Sequence, residues 1–164
     1  MKVISNASPL IALSQIERLN LLKEIWGEII IPKAVYNEVV LKGKRKPGVK
    51  LIEKAINEGW IKIFKIKNEQ QVKTLMSILD YGEAEVIVLA QEIQAQLVIL
   101  DNREPRLFAF QIGIKVIGTI GVILKAYEKN LILNPLDEIY RLRNYGFYIS
   151  NNLLNYIKTI LENR

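Results

Sequence analysis

Leu97-Val98-Ile99-Leu100 places four aliphatic side chains in a row with no polar residue among them. A strand with one wet face alternates apolar and polar residues, so an unbroken run of this length is an interior strand covered on both faces, as in a parallel sheet. Val3-Ile4 and Ile29-Ile30-Ile31 read the same way, and Ile61 to Ile66 and Ile114-Lys115-Val116-Ile117 supply two further strands. Helical patterns separate these runs from end to end. Strand and helix signals in alternation argue for an α/β fold with a central, mostly parallel sheet flanked by helices.

The Leu97–Leu100 run stops at Asp101. In open parallel sheets ligands collect outside the carboxyl ends of the strands, which makes Asp101 the first candidate site residue. The preceding segment supplies a second. Asp80 can cap a helix that begins around Gly82 and runs to Ile93, apolar on nearly every side and therefore buried, with Glu83 in its first turn. Two plainer readings stand beside these: Asp80-x-x-Glu83 has the spacing of a capping box, and acids enrich at turns without chemistry.

The remaining elements follow in order. After Val3-Ile4 comes Ser5-Asn6-Ala7-Ser8-Pro9-Leu10, with Ser8 placed as an N-cap and Pro9 at the first helical position. Leu10 to Trp26 makes one broken helix or two short ones, closed by Gly27. Pro32 starts a helix with Ala34, Val35, Val39 and Val40 on its apolar side, and Glu38 points at the core edge or at solvent. Lys42, Lys44, Arg45, Lys46 and Lys50 lie in or beside a Gly/Pro loop that either tracks a phosphate backbone or is simply solvated.

Helices are then expected near Val49–Asn57, Glu69–Leu79 and Leu107–Ile112, and Gly118-Thr119-Ile120-Gly121 leads into another through Tyr127. Gly118-x-x-Gly121 is too short for a dinucleotide or P-loop fingerprint. The C-terminal third is helical: Pro135 to Tyr145, then Ser150 capping Asn151–Glu162, whose stripe of Leu153, Leu154, Ile157, Ile160 and Leu161 is read as covering the core, with a dimer or partner groove as the alternative. The whole reads as one domain, a core over 1–133 with a helical extension over 134–164.

Composition narrows the chemistry. The chain has neither cysteine nor histidine, which excludes a thiolate nucleophile, a Ser-His-Asp triad, a zinc finger and a histidine base. Catalysis, if present, falls to carboxylates, and carboxylates without imidazole suit a hard cation such as Mg²⁺ or Mn²⁺. Lys and Arg number 23 against 17 acids, a formal net charge of +6, which favours a polyanionic partner. No apolar run reaches membrane-spanning length and Met1-Lys2-Val3-Ile4 opens as a strand rather than a signal sequence, so the expected location is the cytoplasm.

Five segments in order, VISNASPLIALSQIERL, IIIPKAVYNEVV, DYGEAEVIVLAQE, LVILDNREPR and GIKVIGTIGVILKAYEKNLI, together with GFYISNNLLNYI, make the chain resemble the PIN-domain family over essentially its whole length. The resemblance implies a three-layer α/β/α fold and a metal-dependent ribonuclease. It further implies a relation to VapC-type toxins held by a cognate antitoxin, and homodimerisation. Glu38 and Glu83 match the second and third acids of the family's cluster, Asp101 the acid after the central strand, and Ser8 the hydroxyl residue that supports the first acid. These three carboxylates are the implied ligands of Mg²⁺ or Mn²⁺.

The first acid of the family, usually aspartate, is Asn6 here. An amide oxygen can bind a cation but brings no charge, so a second metal ion is held less strongly than in a four-carboxylate site. Two readings therefore stay open: a ribonuclease with lowered or Mn²⁺-dependent activity, and a catalytically impaired module that binds RNA or a protein. A phosphatase ranks below both because no Asp-x-Asp phosphoacceptor motif is present. Lys44, Arg45, Lys46, Arg103 and Arg106 are the expected backbone contacts, chosen from charge alone, and such contacts position a strand without reading its sequence.

Overall fold

A computed structural model of the chain describes residues 1–44 and 46–163; Arg45, one of the expected backbone contacts, lies outside the described residues. Five strands, β1 (Val3–Ser5), β2 (Ile29–Pro32), β3 (Ile61–Phe64), β4 (Leu97–Ile99) and β5 (Val116–Ile117), form one sheet in the order β3-β2-β1-β4-β5. Every pairing is parallel, with Ile4 opposite both Ile30 and Val98. Val3, Ile4, Ile29, Ile31, Val98 and Ile99 are fully buried, as unbroken aliphatic runs require.

From β1 the chain moves outward to β2 and β3, then returns past β1 to β4 and β5. Parallel crossovers are right-handed, so reversing direction puts the two sets of connecting helices on opposite faces. The contacts agree. α1 (Ala7–Gln15) packs on α4 (Val49–Glu58), α8 (Thr119–Glu128) and α9 (Pro135–Asn144), and α2 (Asn20–Trp26) on α8, while α6 (Tyr81–Glu92) packs on α5 (Glu69–Leu75) and α7 (Arg103–Gln111). The result is the three-layer α/β/α arrangement, and its topological switch point falls between β1 and β4.

Several local features differ from the sequence reading. Helix α1 begins at Ala7, with Asn6 at the cap position and Pro9 inside the first turn, where its missing N–H still costs nothing. Ser8 is not the cap because its hydroxyl is drawn elsewhere. The helix after Pro32 is α only over α3 (Lys33–Tyr36) and continues as a π-helical turn, Asn37–Leu41, marked by the Lys42 N–H donating to the Asn37 carbonyl at 2.9 Å. Ala34/Val39 and Val35/Val40 are five residues apart, a spacing that an α-helix turns by about 140° off one face and an i→i+5 turn brings back. All four are buried.

At the C-terminal end, the buried Glu138 accepts from Arg18 at 2.8 Å and from Arg141 at 3.0 Å, and Arg141 also donates to the Ile16 carbonyl at 2.7 Å. This clamp fixes α9 against the end of α1. In α10 (Asn151–Glu162), capped by Ser150 as expected, Leu154 and Ile157 are buried but Leu153 and Ile160 are exposed, so the apolar stripe covers the core with only part of its width. Among the described residues no helix is long and apolar enough to cross a membrane.

Candidate active site

The switch point brings two loop openings side by side. Asn6, directly after β1, donates its backbone N–H to the Ile99 carbonyl of β4 at 3.0 Å, so the ladder continues one step past the strand and leaves the Asn6 side chain at the rim. Two residues on, the Ser8 hydroxyl donates to Asp101 Oδ2 at 3.3 Å. Asp101 is otherwise held by the first residue of α8. The Thr119 N–H reaches Oδ1 at 2.8 Å and its hydroxyl reaches Oδ2 at 2.7 Å. A carboxylate at the N-terminus of a ten-residue helix is further stabilised by the helix dipole.

Glu83 performs two tasks with its two oxygens. Oε1 accepts from the Asp80 N–H at 3.1 Å while Asp80 Oδ1 accepts from the Glu83 N–H at 2.8 Å, so the capping box is present in full. Oε2 accepts from Asn102 Nδ2 at 2.6 Å, which ties the start of α6 to the residue after Asp101. Glu83 is buried, and these bonds satisfy it.

Glu38 reaches the same rim from the π turn. Its entry angle is set from below: the buried Glu85 of α6 accepts from the Ala34 N–H at 2.9 Å, supplying the N-terminal partner that Pro32, at the cap position, cannot provide. Glu38 is exposed overall, yet burial of part of its carboxyl and the negative charges of Asp80 and Glu83 outweigh Lys42 and Lys46. Its pKa is held above the ordinary glutamate value.

Gly82 shows where these groups converge. A Cβ placed there would lie 3.2 Å from Glu38 Oε1, 3.6 Å from Asn6 Oδ1 and 3.7 Å from Asp80 Oδ1. Three oxygens on three different elements thus border one small space that the missing side chain keeps open. The donors are all oxygen and two are carboxylates, a set that fits a hard cation retaining part of its water shell. Among the described residues no three Asp, Glu, His or Cys side chains are grouped to hold a metal ion. Glu83 and Asp101 spend their oxygens on donors of their own chain, and the third oxygen at the Gly82 space belongs to an amide.

The cations distribute unevenly. Arg106 donates to the Leu100 carbonyl at 3.0 Å, pinning its guanidinium beside Asp101, and Arg103 lines with both a cavity of about 950 Å³ along the outer edge of β5. A second cavity, about 750 Å³, runs from Ser8, Asp101 and Arg106 to Phe147, Tyr148 and Leu153. Lys46 acts electrostatically on Glu38. Lys44 lines, with Lys46 and Lys50, a separate cleft against Ser14 and Tyr145.

Thr119, Asn102 and Glu85 were not legible as site-building residues. For Thr119 a signal existed: a hydroxyl residue opening a helix one strand along from Asp101. Asp80 was visible only as a cap.

No curated protein matches this sequence significantly. A family model described as PIN domain matches residues 2–163. With that match covering nearly the full chain, and with the parallel five-stranded sheet and its acidic switch point in place, the protein belongs to the PIN-domain family.

Proposed function

We propose that this chain is a metal-dependent endoribonuclease and the toxin half of a toxin–antitoxin pair. PIN domains have a nuclease-type fold and are generally nucleases that use divalent metals. The observation that carries the reading is the meeting of Asn6, Glu38 and the Ser8–Asp101 hydrogen bond at the β1/β4 switch point, with Glu83 tied to Asn102 beside them. The absence of histidine and cysteine leaves metal-assisted hydrolysis as the chemistry that oxygen donors support.

In this reading Glu38, Glu83 and Asp101 would hold Mg²⁺ or Mn²⁺. When bound, the metal supplies an acidified water and a counter-charge for the phosphoryl oxygens. Asn6 orients ligands at the rim. Ser8 and Thr119 fix the Asp101 carboxylate so that it need not reorganise. Arg106, already pinned at the rim, and Arg103, Lys46, Lys44 and Arg45 contact the RNA backbone. Exposed Leu153, Tyr156 and Ile160 on α10 offer a face for a second copy or an antitoxin.

The test is cleavage of single-stranded and structured RNA with Mg²⁺ or Mn²⁺. Activity is expected to disappear with EDTA and to fall at least about a hundredfold in Glu38→Gln, the size of loss typical when a group that stabilises the transition state is removed. Cleavage that survives chelation, or that Glu38→Gln leaves intact, removes the proposal. A second reading, an inactive RNA- or protein-binding module, draws on Asn6 and on the satisfied state of Glu83 and Asp101. Salt-dependent RNA binding without metal uptake favours it.

A further inference from the structure

We propose that Asp80 is a direct ligand of the cation, replacing from the N-cap of α6 the negative charge that Asn6 does not bring. The proposal rests on the metal-dependent reading above and names a ligand that reading lacks.

Three observations meet here. The first is the Gly82 space itself, bordered by Glu38 Oε1, Asn6 Oδ1 and Asp80 Oδ1 within 3.7 Å of one point. Glycine in a helix is destabilising relative to alanine, and Gly82 is not among the glycines with positive φ, so the backbone does not call for it. Room for something beside the helix does. The second is Asn6. It is only 6% exposed, and its side-chain amide makes no hydrogen bond with the described residues. Its Oδ1 therefore borders the Gly82 space unengaged by the protein, 3.6 Å from the position of the missing Cβ, and is free to take a cation in place of water.

The third is charge. Glu38 Oε1 and Asp80 Oδ1 lie 3.2 Å and 3.7 Å from the same point at Gly82, so two carboxylates share one locality that a cation between them would neutralise. Mg²⁺ is commonly held by one or two carboxylates with waters completing its octahedron, and Glu38 with Asp80 meets that need.

The plain alternative is that Asp80 is a helix cap and nothing else, since its Oδ1 accepts from the Glu83 N–H. The two roles separate cleanly. Asparagine caps helices as well as aspartate does, so Asp80→Asn keeps the cap and removes only the charge.

The experiment is Mn²⁺ titration followed by calorimetry and by the electron paramagnetic resonance signal of free Mn²⁺, on the wild type, Asp80→Asn, Asn6→Asp and the double variant. Melting curves in EDTA establish that each is folded. Asp80→Asn is expected to weaken binding at least about tenfold, Asn6→Asp to tighten it, and the double variant to return within about threefold of the wild type, as a charge moved between two ligands requires. Unchanged Mn²⁺ affinity in Asp80→Asn, with affinity lost in Glu38→Gln, overturns this proposal and leaves the metal-dependent reading standing. A wild type that takes up no Mn²⁺ at millimolar concentration overturns both.

Discussion

The carboxyl ends of β1 and β4 lie next to each other and are built in opposite ways. At β4, Asp101 accepts three hydrogen bonds, from Ser8 and twice from Thr119, all within its own chain. At β1, the Asn6 amide makes no such bond, and Glu38 and Asp80 face each other across the Gly82 space with negative charge that Lys42 and Lys46 only partly offset. One end is finished by the fold and the other is left for a ligand to finish. A site that binds a cation needs both: a rigid wall that does not reorganise, and an open set of oxygens whose repulsion the ion removes.

The comparison breaks most sharply on stability in EDTA. Asp101→Ala leaves the Thr119 N–H and hydroxyl, both buried, without their acceptor, and is expected to destabilise the fold by about 2–4 kcal/mol. Glu38→Gln removes one of the repelling charges and is expected to leave the melting temperature unchanged or raise it slightly. Both abolish cleavage under the proposed mechanism. Thermal melts of the two variants beside the wild type decide the matter, and equal destabilisation by both would show that the two strand ends do not differ as described.

Gly82→Ala sharpens the contrast within one substitution. Alanine favours the first turn of α6 by up to about 1 kcal/mol, because no positive φ stands in the way. The same methyl group comes within 3.2 Å of Glu38 Oε1 and occupies the space between the three oxygens. The expected outcome is a protein as stable as the wild type or more so in EDTA, with weaker Mn²⁺ affinity. Gly118→Ala offers the matching probe at the other end, where a Cβ meets Arg106 Nη1 at 2.7 Å and Asp101 Oδ1 at 3.0 Å.

Much of the frame was legible because it depends on neighbours in sequence. The aliphatic runs became buried strands, Gly27, Gly113 and Gly146 stop helices at positive φ, Ser150 caps α10, and Asp80 with Glu83 forms its capping box. The site was legible only as a set of residues. Its bonds join positions far apart in the chain, Ser8 to Asp101, Asp101 to Thr119, Glu85 to Ala34, and periodicity carries no information about such pairs. Ser8 has the local pattern of a cap, but its hydroxyl goes to Asp101, 93 residues away. The strand Ile114–Ile117 shrank to two residues because the Ile114 N–H turns back to the Ala109 carbonyl at 2.9 Å, a choice made by the end of α7 and not by β-propensity. Charge alone placed Lys44 and Lys46 together, yet the cations acting on Glu38 are Lys42 and Lys46.

The smallest effect tests the open end through pH. The pKa of Glu38 is raised in the folded protein by partial burial and by Asp80 and Glu83. In the window between its ordinary value and this raised value, the folded state keeps a proton that the unfolded state has lost. The unfolded state therefore binds fewer protons, and stability falls as pH rises through that window. Metal-free wild type is expected to lose a little stability from this group as pH rises above the ordinary glutamate range, and Glu38→Gln is expected to flatten that limb of the profile. The effect is small because solvent screens an exposed carboxylate. Asp80→Asn removes the largest charge acting on Glu38 and should flatten the same limb in part, which urea titrations of the three proteins across mildly acidic pH can resolve. If Asp80→Asn leaves the slope untouched while Glu38→Gln removes it, burial and Glu83 account for the shift, and Glu38 and Asp80 do not feel each other across the Gly82 space.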